Sequence, residues 1–380
     1  MRCIMDFSKL DLYMEQMPKR GFPACELSVS RDGEIIYRRG VGYADSAKTR
    51  PVSNTDLYWL FSATKVITCI AAMRLVEQGI ISLDDPVSKY IPEYASLKIL
   101  QNDGSLAEAK NVMTIEHLFT MCGGMTYDVA NDAIKDAALV TPSTLDMVKA
   151  MAKMPLVFEP GTKYKYSLCH DVLAAVIEVA TGMLFSEYLQ KNLFDPLGVT
   201  DMGFHPTEEQ ISRFSAQYRY KDGTAEVTEI PITNKYRLTD EYDSGGAGLF
   251  GTVDDYMKII TPIACGGTTP DGYRILKPET IKMMGENRLK GDILNGLSST
   301  RLYGYGWGLC GRAHFDPIRS LSLSPVGEFG WDGAAAAFCM IDPTNRIALY
   351  FGTHVFGCNY AYHSVHPTLR NLVYEALGNV

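Results

Sequence analysis

A serine and a lysine three residues apart open an apolar helix pattern: Leu60-Phe61-Ser62-Ala63-Thr64-Lys65, running on to Gly79. A serine hydroxyl is a weak nucleophile until a base takes its proton. A lysine can act as that base when burial or a neighbouring cation lowers its pKa. Three residues apart on a helix, the two side chains share a face. Ser62 is expected at the helix N-terminus, where unpaired N–H groups and the helix dipole favour negative charge. The spacing therefore offers a nucleophile, a base and an anion-stabilising end. The same residues also suit an N-capping serine and a solvated first-turn lysine. Two features favour the chemical reading: no other serine in the chain has a lysine at this offset, and the helix that follows is apolar at Val66, Ile67, Ile70, Ala71, Met73 and Leu75.

A Ser–Lys pair needs a third group to pass protons to a leaving atom. Tyr166 is the candidate, at the start of an expected helix over 166–180 and after the Pro160-Gly161 turn. A phenol beside a cationic lysine can serve as general acid or base. With 22 tyrosines in the chain, a packing tyrosine is the alternative. His170, one expected helical turn further, is a pocket candidate, with a helix-surface histidine as the alternative. Trp331-Asp332-Gly333 is the third piece. Glycine on a strand allows close backbone approach, and the Ala334 N–H could join that of Ser62 in an oxyanion hole. The alternative is an edge strand carrying a core tryptophan.

Other schemes fit worse. There is no Gly-x-Ser-x-Gly elbow and no His-Glu-x-x-His. Cys358, His363 and His366 read as loop residues without a shared role, so neither metal nor cofactor is expected. The run Gly245-Gly246-Ala247-Gly248-Leu249-Phe250-Gly251 lacks a P-loop lysine and the dinucleotide spacing, which points to tight backbone packing.

The elements that must position these groups follow from periodicity and turn signals. A short helix over 6–17 precedes strands over 24–30 and 35–41, joined by Asp32-Gly33. From residue 81 to about 240 the pattern is mainly helical, with a small hairpin around Asp222-Gly223. Thr252 caps a helix to about residue 260. The last third turns to strands at 303–310, 327–331, 334–341 and 346–354, then a closing helix over 367–377. Strands, helices, strands: an antiparallel α+β sheet built from both chain ends is expected, with helices covering it. The division is 1–80 with 245–380 as the sheet domain and 81–244 as an inserted helical domain, with the active site between them.

Across 380 residues, 46% are apolar and 21% charged, ordinary for a globular protein. A net charge of −8 disfavours nucleic acid and anionic membrane as partners. No apolar run is long enough to span a bilayer, and the N-terminus lacks the apolar core of a signal peptide. Nine widely spaced cysteines without a Cys-x-x-Cys suit reduced, buried thiols, hence a cytoplasmic protein without a disulfide framework. Nothing in the sequence fixes an oligomeric state.

Taken together, the motifs resemble the serine β-lactamase-like hydrolases: class C β-lactamases, D-alanyl-D-alanine carboxypeptidases and, most closely, family VIII carboxylesterases. The resemblance runs through Ser62-Ala63-Thr64-Lys65, Leu75 to Val87, Thr114-Ile115-Glu116-His117-Leu118-Phe119-Thr120, Pro160-Gly161-Thr162, Tyr166-Ser167-Leu168, Pro196-Leu197-Gly198-Val199, Gly245 to Leu249, Tyr305-Gly306-Trp307-Gly308 and Trp331-Asp332-Gly333. It implies a β-lactamase/transpeptidase-like fold and an acyl-enzyme. Ser62 would be nucleophile, Lys65 base and Tyr166 proton relay, with the Ser62 and Ala334 N–H groups as oxyanion hole. Leu168, Trp331, Asp332, Gly333 and His170 would line the substrate pocket. Two departures bear on substrate. The lactamases have Tyr-x-Asn, whose amide binds the substrate, and Lys-Thr-Gly, whose lysine helps hold a carboxylate. Leu168 and Trp331 stand in those slots. A site stripped of such partners loses substrates built around them. The small-molecule substrate expected is therefore a short-chain ester, with weak or no β-lactamase activity. The alternatives are a β-lactamase or D-amino-acid amidase or peptidase and, from another class, a ligand-binding relative without catalysis.

Overall fold

The computed structural model describes residues 5–140, 142–298 and 302–378; Cys3 lies outside them. Strands from both ends of the chain form one seven-stranded sheet. Its order is Glu34–Gly42, Ala24–Arg31, Ile347–Thr353, Phe338–Asp342, Phe329–Gly330, Gly311–His314 and Tyr305–Gly308, with every neighbouring pair antiparallel. Strand alternation sends side chains to opposite faces. Leu27, Val29, Leu349 and Phe351 pack with Leu10 and Met14 of the helix Ser8–Glu15 and with Leu369 and Val373 of the helix His366–Ala376. Ala348 and Tyr350 point the other way, into a core shared with Tyr256, Ile259 and Ile263 of the helix Val253–Ala264. The result is a sheet between helical layers, the α+β arrangement expected.

The strand Gly311–His314 was not expected. Only Leu309 and Cys310 separate it from the preceding strand, and Gly311 turns the chain at φ 101°, where a Cβ would lie 2.5 Å from Gly330 O. A run this short carries little alternation to read. The segment 81–244 holds short helices, including Ile115–Phe119, Thr144–Met151 and Cys169–Thr181, and the hairpin Gln217–Lys221 with Glu226–Ile230. Tyr166 was expected at the start of a helix over 166–180. The helix instead starts at Cys169, with Leu168 as its N-cap, and ends at Gly182 in the left-handed region. The eight described cysteines are free thiols. No single helix among the described residues is long and apolar enough to cross a membrane.

Candidate active site

The helix Thr64–Glu77 is buried along most of its length. A 3-10 turn, Phe61–Ala63, precedes it and carries Ser62. Phe61 takes φ 47°, a conformation costly for a bulky residue, and is held there by near-complete burial and an edge-on contact with Phe356 at 4.7 Å. The turn holds Ser62 at the wall of a cavity of about 590 Å³. The serine does not cap the helix, which has no side-chain cap hydrogen bond. Lys65 is not solvated either; it is 1% exposed.

Three groups surround the lysine nitrogen. The Gly246 carbonyl accepts from Nζ at 2.6 Å, the Tyr127 hydroxyl lies at 3.1 Å and Ser62 Oγ at 3.5 Å. The rings of Tyr166 and Tyr127 flank it, with centroids 4.6 and 5.0 Å away. These rings are stacked on each other at 5.4 Å. Burial lowers the Lys65 pKa from 10.5 to about 8, and the negative charge of Asp171 pulls against that shift. The Tyr127 phenol is pushed well above its usual range, chiefly by burial, so it stays neutral.

Tyr166 sits on the loop before its helix, at the cavity wall. The Trp331 indole N–H donates to its hydroxyl at 3.0 Å. Trp331 follows the strand Phe329–Gly330 and packs edge-on against Trp307 at 4.4 Å. Asp332, Gly333 and Ala334 continue the wall. Asp332 forms an ion pair with buried Arg312 at 2.9 Å. Gly333 was expected to let a ligand approach and does line the cavity; it also packs against the chain before the nucleophile. A Cβ there would lie 2.6 Å from Leu60 O, so glycine lets this turn seat against the one that carries Ser62. The Ser62 and Ala334 main chains thereby share one cavity.

Two expected pocket residues are elsewhere. Leu168 is 2% exposed and belongs to the main core, because the N-cap geometry turns it inward. His170 is fully buried behind the nucleophile helix, with Nε2 3.3 Å from Phe119 O and 3.7 Å from Cys69 Sγ. Burial pushes its pKa down to about 3, so it is neutral. With the helix starting after Tyr166, the expected one-turn relation between the two residues disappears.

The sequence reading missed Tyr127, Tyr164, Tyr236, Tyr362 and His363 on the cavity wall, and the Gly246 carbonyl. Tyr127 follows the Gly123-Gly124 break, but one tyrosine among many carries no signal of that kind. The glycine-rich run does pack tightly: a Cβ on Gly246 would stand 2.4 Å from Asp171 Oδ2. Gly246→Ala should therefore displace the carbonyl that holds Lys65. The expected result is a loss of about 1–3 kcal/mol in stability and a fall in kcat of at least tenfold, read by thermal melts and ester kinetics. No group of three metal-ligating side chains occurs among the described residues.

A beta-lactamase family model matches residues 10–359, and the chain belongs to the beta-lactamase family. It is a serine hydrolase of that family, with the β-lactamase/transpeptidase fold. It is 30% identical over 364 residues to esterase EstB of Burkholderia gladioli, covering 88% of this chain and 87% of that one. It is 31% identical over 270 residues to a lovastatin esterase of Penicillium rubens, covering 68% of this chain and 66% of that one. Among solved structures, EstCE1, described as a hydrolase with promiscuous acyltransferase activity, superposes with a TM-score of 0.80 at 23% identity, over 98% of both chains. At that identity the likeness speaks for the fold.

Proposed function

We propose that this serine hydrolase is a carboxylesterase acting on short-chain esters through an acyl-enzyme on Ser62. In its neutral form Lys65 keeps an N–H on the Gly246 carbonyl and turns its lone pair to Ser62 Oγ, 3.5 Å away. It takes the hydroxyl proton as Oγ attacks the ester carbonyl carbon. The Ser62 and Ala334 N–H groups receive the developing oxyanion. Collapse breaks the bond to the alcohol, which leaves with the lysine's proton, relayed through the Tyr166 phenol. Water then repeats the sequence on the acyl-serine and frees the acid.

The observation that carries the substrate choice is the Trp331 indole donating to the Tyr166 hydroxyl. An uncharged indole stands at the slot that a carboxylate-binding lysine fills in the lactamases. The rest of the wall is largely aromatic, with Tyr127, Tyr164, Tyr236 and Tyr362. Such a surface favours an uncharged ester over an amide-bearing, carboxylate-bearing ring. Esterase names among the relatives support the same reading. The test compares p-nitrophenyl butyrate with nitrocefin. The ester should win in kcat/KM by at least roughly 10²-fold. Faster nitrocefin turnover would overturn the substrate assignment.

A further inference from the structure

Asp171 takes no part in the steps above, yet it bonds to the N–H of Gly246, the residue whose carbonyl holds the lysine. It is fully buried in the first turn of the helix Cys169–Thr181. Its Oδ1 accepts from the Tyr242 hydroxyl at 2.7 Å, the Ser244 hydroxyl at 2.5 Å and the Gly246 N–H at 3.2 Å. Its Oδ2 is buried with no hydrogen-bond donor and abuts Gly246. A buried carboxylate is costly unless satisfied, so three donors on one oxygen and none on the other is an expensive arrangement. What it achieves is local: it ties the segment 242–246 to this helix. Thr68 adds a tie from the nucleophile helix, donating to Gly245 O at 2.7 Å. The segment so held presents the Gly246 carbonyl to Lys65 at 2.6 Å.

We propose that Asp171 is a positioning residue for Lys65. By gathering Tyr242, Ser244 and the Gly246 N–H, it fixes the carbonyl that holds the lysine nitrogen beside Ser62. The inference rests on the reading of Lys65 as base. The other titratable groups that face the lysine are Cys69 on its own helix, Cys169 and His170 on the helix of Asp171, and Tyr127 and Tyr166 on their loops. Cys169 is pushed up to about 11, His170 down to about 3 and Tyr127 well above its usual range, all chiefly by burial, so they are neutral near pH 7. Asp171 thus opposes the effect of burial on the lysine.

The test is the pH dependence of kcat/KM for p-nitrophenyl butyrate. With Lys65 near 8, the wild-type value should rise roughly tenfold from pH 7 to 9, as the neutral fraction grows from about one tenth to about nine tenths. Asp171→Asn keeps the shape and an acceptor oxygen but removes the charge. It should move the inflection to lower pH by roughly half a unit or more. Tyr242→Phe removes one donor that shields the carboxylate, and should move it the other way. Asp171→Ala, which releases the segment, should cut kcat on the order of 10²-fold with KM little changed. A side chain that only fills space would lower activity without moving the inflection. A wild-type profile with no rise near pH 8 would remove the base reading itself. A wild-type rise that stays in place in both folded Asp171→Asn and Tyr242→Phe would overturn the role of Asp171 alone. Should Asp171→Asn fail to fold, Tyr242→Phe decides.

Discussion

Ser62→Ala should abolish ester turnover, lowering kcat for p-nitrophenyl butyrate by at least about 10⁴-fold, the scale of losing a serine nucleophile. The change removes one oxygen from a 3-10 turn that is otherwise held by backbone and packing. Leu60 N–H donates to Leu249 O at 2.9 Å, Ala63 N–H to Leu60 O at 3.1 Å, and the Tyr256 hydroxyl to Ala63 O at 2.9 Å. None of these contacts involves Oγ, so the variant should fold and melt close to the wild type. Kinetics and a thermal melt on the same sample separate the two outcomes. Turnover that survives in a folded variant would remove Ser62 from the chemistry.

Lys65→Met should cost nearly as much activity, on the order of 10³- to 10⁴-fold, and also leave a mark on stability. The lysine has a lower pKa in the folded chain, about 8, than the 10.5 of the free side chain. Between those values the unfolded chain binds more protons than the folded one, so stability rises with pH across that window. Below pH 8 the cost of burying the charged form is fully present. Above about 10.5 it is gone. Relative to Lys65→Met, the wild type should therefore gain on the order of 2 to 3 kcal/mol between pH 8 and 10.5. Denaturant unfolding of both proteins across that range gives the difference, with other titrations cancelling. A flat difference would mean that Lys65 is not desolvated. A folded Lys65→Met that retains turnover would mean that another group takes the proton.

The parts of the site that are local in the chain were legible. Ser62 and Lys65 are three residues apart, and helical spacing alone brings them to one face. Much of the sheet was also legible from strand-like runs at both chain ends and the Asp32-Gly33 turn, although Gly311–His314 was not. What escaped reading depends on distant contacts. Tyr127 is 62 positions from Lys65, and Gly246 is 181. The glycine-rich run gave away its crowding but not that one of its carbonyls holds the lysine. Leu168 was placed in the pocket by the resemblance, and His170 by a helix extended back to Tyr166; both are buried. The real start at Cys169 puts Tyr166 on a loop facing the cavity and turns its two neighbours into the core. Gly333 lines the cavity as expected, and its missing Cβ also lets two turns of backbone meet.

The most direct test follows the acyl group itself. The protein is quenched in acid during turnover of p-nitrophenyl butyrate, digested and analysed by mass spectrometry. The expected result is one butyryl group on the peptide carrying Ser62, absent in Ser62→Ala and chased by water in the wild type. A butyryl group on any other residue, or steady turnover with no acylated peptide under conditions where acylation outpaces hydrolysis, would contradict it.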